Sequence, residues 1–363
     1  MKNCTLIIDG NWLLISRMSV MMKEFSKTYS NETLNDSCNK LVDFMAQSIN
    51  GTVNILYEYI DNIILVSDKG SWRKYLEKPK LYQGEDYKGT RTHTDDINWE
   101  YVWKALDRLS DACVAQGITF TCAQNIEGDD WCWYWSSTLN SQGINTIIWS
   151  IDADLKQLVK FDGGWTCWYN NKHGIIVPTI EQTIDSYLEL NLNESLLQSL
   201  VSNLSGRIKI QSIRPQDIVM SKIICGDSGD NILAVVRKQA GKRTLRVSEK
   251  EWVKIKEKLG IQNLQQFFEN KEVIINEILT SRRFQDCTDS IQDILDVFDY
   301  NTRLVMLDES VYNQEELNRM RASEYKEFDL SYLKNNYKIL SPKQLASQAE
   351  LFDVEDDFFN IFN

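Results

Sequence analysis

The chain has 363 residues, 43% hydrophobic and 11% aromatic, with only 4 Pro and 16 Gly. This composition suits one or two packed domains and excludes a disordered or fibrous chain. No apolar run is long enough to span a bilayer, and no basic-then-apolar leader opens the chain, so a non-secreted, cytoplasmic protein without membrane contact is expected. Eight cysteines lie scattered without a Cys-x-x-Cys pair, and His93 and His173 are the only imidazoles. Reduced, mostly buried thiols are expected, rather than a zinc site or a His-based triad. Carboxylates, lysines and arginines are left to carry the chemistry.

Three short β-branched apolar runs, Leu6–Ile8, Ile63–Val66 and Ile147–Ile151, read as buried parallel strands. Residues 11–23 have helix composition, 28–38 read as a polar loop, and 40–58 read as a second helix. Residues 69–91 are basic and irregular. Residues 95–116 form an amphipathic helix with Trp99, Val102, Trp103, Leu106 and Leu109 at helical spacing. A third strand covers 118–123. The helix over 129–139 bears Trp131, Trp133, Tyr134 and Trp135, which read as core. Trp165–Tyr169 and Gly174–Val177 flank an Asn170–Asn171 turn and read as a hairpin. Helix predominates after Thr179, and Pro215 is placed to start a helix running to Cys225.

Acids recur where the apolar runs end: Asp9, Asp68, Glu127-Gly-Asp129-Asp130, Asp152-Ala-Asp154 and Gly226-Asp227-Ser-Gly-Asp230-Asn231. In an open α/β sheet, groups beyond the carboxyl ends of the strands converge in one crevice. Crowded carboxylates raise one another's pKa unless cations neutralise them, and hard divalent cations prefer oxygen ligands. The net charge of −12 hides two basic stretches. Residues 69–91 carry seven Lys/Arg against three acids, and 237–258 carry nine against three. A negative centre flanked by basic grips suits a metal-dependent enzyme acting on a phosphate backbone.

The order of these motifs, with Tyr87-Lys88-Gly-Thr-Arg91 between them, resembles the flap endonuclease and 5′-nuclease family, nearest its bacteriophage RNase H branch. The resemblance implies an α/β, PIN-like 5′-nuclease fold with a mostly parallel central sheet. It also implies a helical arch at about 88–125 and a helical C-terminal region with a helix–three-turn–helix-like module. Expected boundaries are 1–180 for the nuclease domain, 181–340 for the DNA-binding region and 341–363 for an acidic tail.

By that resemblance, Asp9, Asp68, Glu127, Asp129, Asp152 and Asp154 hold two magnesium ions, which manganese can replace, directly or through water. Asp130, Asp227 and Asp230 complete the outer ligation. Lys88 and Arg91 touch the scissile phosphate, with Arg73 as a further contact, and Arg237, Lys238, Lys242 and Arg243 grip the duplex. The implied activity is 5′→3′ exonuclease and flap endonuclease cleavage of branched or nicked DNA and RNA–DNA primers by a monomer, in the bacterial host cytoplasm if phage-encoded. Two alternatives are a PIN-like ribonuclease and a non-catalytic replication adaptor. In the tail, Gln348, Leu351 and Phe352 resemble a sliding-clamp binding peptide.

Overall fold

The computed structural model describes residues 3–91, 95–178, 194–204, 209–240 and 243–330. The chain divides into two compact units that are not consecutive in sequence: Met1–Gly70, His93–Ile213 and Asn318–Asn363 form the first, Ser71–Thr92 and Arg214–Leu317 the second. The division expected near residue 180 is therefore replaced by one in which the basic segment 71–92 belongs with 214–317.

The first unit is built on a mixed sheet. Its strands are β1 (Cys4–Asp9), β2 (Asn62–Val66), β3 (Thr119–Thr121), β4 (Asn145–Trp149), β5 (Lys160–Asp162), β6 (Gly164–Asn170), β7 (Gly174–Val177) and β8 (Ile210–Ser212). The order is β3-β2-β1-β4-β6-β7-β8, with β5 folded back on β6. Pairing is parallel from β3 through β6 and antiparallel between β6 and β7, the hairpin read from the sequence.

Alternation along the strands decides which helix covers which face. Leu6 and Ile8, Ile63 and Leu65, and Ile147 and Trp149 share one buried cluster with helices α1 (Gly10–Met21), α2 (Asn31–Leu56) and α3 (Trp99–Ala115). Ile7, Ile64 and Ile148 are equally buried but lie outside that cluster, where α4 (Gly128–Ser141) packs on β1, β4 and β6. Trp131, Trp133 and Trp135 of α4 are buried, as their helical spacing suggested. A further helix, α5 (Glu194–Leu204), adds Leu200 and Leu204 to the first cluster.

Two expectations for this unit fail. The polar stretch 28–38 is largely helix, because Ser30 caps α2 by accepting the Thr33 N–H, and Leu34, Ser37 and Cys38 face the core. Most of the segment expected to arch is the core helix α3. Its Tyr101, Val102, Ala105, Leu106 and Leu109 are buried, and Arg108 donates to Asn35 and Asn39 of α2. Residues 92–94 lie outside the described residues, His93 among them.

In the second unit, α6 (Pro215–Cys225), α7 (Glu249–Leu259), α8 (Leu264–Glu269), α9 (Lys271–Thr280) and α10 (Ile291–Val305) pack with the 71–92 segment. Trp252, Phe267 and Phe298 form its aromatic core, with ring centroids 5.6 and 5.1 Å apart. A buried polar hub binds four pieces of chain together. The Tyr82 hydroxyl donates to Asn301 Oδ1 and accepts the Leu233 N–H at 2.7 Å, while Asn301 Nδ2 donates to the Ile223 and Leu233 carbonyls at 2.8 Å each. Each of these side-chain polar atoms has a partner, so the hub fixes geometry instead of costing stability.

The expected helix–three-turn–helix takes a different form. Between α6 and α7 runs the loop 226–236, followed by a two-stranded ribbon of β9 (Arg237–Ala240) and β10 (Arg243–Arg246). All eight cysteines are free and most are buried. Among the described residues, no helix is long and apolar enough to cross a membrane.

Candidate active site

Strand register places the first acids. Asp9 pairs with Val66 and Ile8 with Trp149, so Asp9, Asp68 and Asp152 follow the carboxyl ends of three neighbouring parallel strands. The chain order reverses between β1 and β4, and a crevice at such a switch point is where open α/β sheets take ligands.

Asp9 is the N-cap of α1 and is only 6% exposed. Its carboxylate accepts the Trp12 N–H at 2.9 Å and the Ser150 hydroxyl at 2.7 Å. Burial pushes its pKa up to about 7 against those two hydrogen bonds, and the charges of Asp68 and Asp152 push the same way. Cys132 reports the same crowding. Burial raises its thiol well above the usual range, and Asp9, Asp129, Asp68 and Asp152 all add to the rise.

The remaining acids of this unit divide by what they already hold. Asp68 is exposed; its N–H donates to Asn11 Oδ1 at 2.9 Å and its carboxylate accepts the Gly128 N–H. A Cβ at Gly128 would stand 2.8 Å from Asp68 Oδ1, so glycine is what allows the start of α4 to approach so closely. Asp152 accepts the Asp154 N–H at 2.8 Å, and its own N–H donates to Ser150 Oγ at 3.0 Å. Glu127 is buried at the N-cap position of α4, and Asp129 is half-buried in its first turn. Asp130 is fully buried and accepts the Glu127 N–H at 3.0 Å, closing the helix start. That bond gives Asp130 a structural role as the cap of α4, in addition to its expected place among the outer ligands.

Sequence reasoning missed two positioning residues. Ser150 bridges Asp9 and Asp152, and Asn11 orients Asp68. The Asp-Gly-Asn run after β1 was the available signal for Asn11. Nothing in the local sequence marked Ser150.

Asp227 and Asp230 belong to the second unit, as do Arg73, Lys88 and Arg91. Gly226 has φ +71° and a Cβ there would collide with the Ile232 carbonyl, so the acid loop turns on a glycine. Burial works to raise the Asp227 carboxyl, but the Lys222 ammonium and the N–H groups of Gly229 and Asp230 outweigh it and hold the pKa below its usual value. Asp230 is ion-paired with Arg91. The Lys88 N–H donates to the Asp230 carbonyl at 2.8 Å, and Asn231 Nδ2 donates to the Asp86 carbonyl at 2.9 Å. The Tyr87-Lys88-x-x-Arg91 segment and the Gly226–Asn231 loop are thereby one assembly.

Arg73 does not fit its expected role. It is 2% exposed, its guanidinium lies 4.6 Å over the Trp72 ring, and its Nε donates to the Leu304 carbonyl at 3.1 Å. It props the fold and is not presented to a phosphate. Of the expected duplex grips, Arg237 donates to the Leu81 carbonyl and Lys238 pairs with Asp286. Arg243 is exposed on β10. Lys242, Gln348, Leu351 and Phe352 lie outside the described residues.

The all-oxygen donor set around a buried, proton-retaining Asp9 suits a hard divalent cation by chemistry. Among the described residues, no three His, Cys, Asp or Glu side chains are grouped closely enough to hold an ion as they stand.

No family model and no curated protein matches this chain in sequence. Solved structures do match its fold. A bacteriophage T5 protein co-crystallised with metal ions aligns with a TM-score of 0.51 at 16% identity, over 87% of this chain and 96% of that one. The T5 5′-exonuclease with bound divalent zinc ions aligns at 0.50 and 15% identity over the same shares. The T5 flap endonuclease in a pseudo-enzyme–product complex with DNA and metal ions aligns at 0.50 and 16%. The chain therefore has the α/β fold of these 5′-nuclease structures.

Proposed function

We propose that this chain is a divalent-metal-dependent 5′→3′ exonuclease and flap endonuclease that hydrolyses phosphodiester bonds in DNA and RNA–DNA primers during replication. The observation that carries the reading is Asp9: a buried carboxylate at the sheet's switch point, crowded by Asp68 and Asp152 and pushed up to about pKa 7. A fold shared with T5 nucleases that bind metal ions and DNA supports it.

In this reading Asp9, Asp68, Glu127, Asp129, Asp152 and Asp154 would hold two magnesium ions. When bound, such ions favour deprotonation of the attacking water and neutralise charge on the leaving oxygen. The chain's own groups do the rest. Ser150 and the Trp12 N–H fix the Asp9 carboxylate, while Asn11 and the Gly128 N–H fix Asp68. Lys88 and Arg91 stabilise charge growing on the phosphate. For Arg91 that contact means exchanging the Asp230 carboxylate for a phosphate oxygen.

The test is incubation of 5′-labelled flap, nicked and RNA-primed duplexes with magnesium, manganese or EDTA, with Asp152→Asn beside the wild type. Shortening from the 5′ side that needs the metal and is lost in the variant is the expected result. Cleavage indifferent to EDTA and to Asp152→Asn would overturn the reading.

A further inference from the structure

A cavity of about 290 Å³ opens in the second unit, lined by Lys74, Lys78, Asp86, Tyr87, Lys88, Gly89 and Tyr300. Three of the seven are lysines, and the resemblance to 5′-nucleases accounts only for Lys88. Its floor is aromatic, since Tyr87 is 7% and Tyr300 6% exposed, whereas Lys74 is exposed and Lys78 and Lys88 are half-buried. Lys78 is met by the Asp86 carboxylate, which itself stays largely open to solvent. A protein carboxylate thus occupies one of the anion positions that the lysines create.

The walls are held firmly. Lys88 sits at φ +57°, a left-handed conformation that disfavours a non-glycine residue. Three backbone hydrogen bonds hold it there: its N–H to the Asp230 carbonyl, Gly89 N–H to Asp86, and Arg91 N–H to the Lys88 carbonyl, at 2.8, 2.8 and 3.2 Å. On the other side, the buried Arg73 fixes the short turn Trp72–Tyr75 by its contacts with Trp72 and Leu304, leaving Lys74 as the turn's exposed cation. Tyr300 packs edge-on against Tyr82 of the buried hub, with centroids 4.6 Å apart.

Lysines gathered over buried tyrosines suit the phosphate of a nucleotide among the ammonium groups, with Lys88 Nζ itself 5.0 Å from the centre of the Tyr87 ring. The volume is at the lower end for small-ligand sites and holds one nucleotide, not a duplex. We propose that this cavity is a nucleotide-phosphate subsite in which Lys74 and Lys78, joined by Lys88, bind a phosphate of the single strand, displacing Asp86 from Lys78. The proposal rests on the nuclease reading for its ligand class and adds Lys74 and Lys78 to it. The phosphate can be a terminal 5′-monoester or an internal diester.

Fluorescence anisotropy in EDTA separates these sources and keeps binding apart from cleavage. Wild type and a Lys74→Ala/Lys78→Ala variant are titrated with short single-stranded DNA carrying either a 5′-phosphate or a 5′-hydroxyl. For a terminal monoester, wild type prefers the phosphorylated strand by about tenfold, the scale of one charge-assisted hydrogen bond, and the variant loses the preference. For an internal diester, the variant binds both strands more weakly by a similar factor. Unchanged affinity of the variant for both strands overturns the proposal. Lys74→Glu, at an exposed position, gives a second reading if the double variant melts early, and wild-type affinity in that variant likewise overturns it. Magnesium-dependent cleavage by the wild type separately tests the nuclease reading.

Discussion

The backbone N–H of Lys88 donates to the carbonyl oxygen of Asp230 at 2.8 Å, joining residues 142 positions apart in the sequence. Around that bond the Arg91 guanidinium pairs with the Asp230 carboxylate, and Asn231 reaches Glu85 and the Asp86 carbonyl at 3.1 and 2.9 Å. The consequence is electrostatic as well as geometric. Asp227 and Asp230 are each neutralised by a cation of the same unit, Lys222 or Arg91. Asp9 has no such cation among its hydrogen-bond partners and retains a proton to about pH 7 instead.

Asn231 is the clamp of this assembly, and it adopts φ +56°, where an amide side chain is better tolerated than most. Asn231→Ala removes both side-chain bonds and is expected to cost about 1–3 kcal/mol. Asn231→Gly relieves the backbone and loses only the bonds. Thermal melting of the two should rank wild type, then glycine, then alanine, with cleavage rates reduced in both. Wild-type rates in both variants would remove the positioning role.

The proton on Asp9 sets the sign of a pH effect. The folded state binds it up to about pH 7, whereas the unfolded carboxyl releases it near its ordinary value of 3.8. Between those limits the folded state holds more protons, so stability without divalent cations falls as pH rises, at about 1.4 kcal/mol per unit at most. Melting in EDTA should show wild type losing stability from about pH 5 to pH 7 relative to Asp9→Asn. Magnesium at about pH 7.5 should stabilise the wild type more than the variant. A flat difference between the two proteins across that window contradicts the environment described for Asp9.

Asp130 and Asp68 should fail in different ways. Asp130→Ala removes the acceptor for the Glu127 N–H and is expected to lower stability by about 1–2 kcal/mol. Asp68→Asn is expected to weaken cation binding with little change in melting in EDTA. Calorimetric titration with magnesium and thermal melting separate the two, and weakened cation affinity in a stably folded Asp130→Ala protein would place Asp130 among the ligands as well.

Arg73 and Lys88 make a second contrasting pair. Arg73→Ala loses the bond to Leu304 and the stack on Trp72, an expected cost of about 1–3 kcal/mol in melting. Lys88→Ala should melt near wild type and lose at least about tenfold in cleavage rate. An Arg73→Ala protein with wild-type stability and lost cleavage would return Arg73 to the phosphate.

The tail motif containing Gln348, Leu351 and Phe352 calls for a deletion. Removal of residues 344–363 should abolish stimulation by a sliding clamp while leaving cleavage of free flaps intact. Equal stimulation of both proteins excludes the tail as the clamp contact.

Local sequence determined the strands and most helices because their signals are short-ranged. Leu6–Ile8, Ile63–Val66 and Ile147–Ile151 read as β-branched apolar runs, the last overshooting the end of β4 at Trp149, Pro215 starts α6, and the α3 and α4 stripes repeat at helical spacing. It also identified Asp9, Asp68 and Asp152 as strand-end acids, since that depends only on where an apolar run stops. It misread 28–38, where polar composition outweighed the capping signal at Ser30. Only the tertiary structure decided what each carboxylate does. Asp130 is committed to a backbone N–H, Asp227 and Asp230 to Lys222 and Arg91, and Arg73 to Leu304, whereas Asp9 is left crowded and protonated. Those outcomes depend on distances between groups up to 231 positions apart and on how much water each retains, and neither quantity is carried by a residue's sequence neighbours.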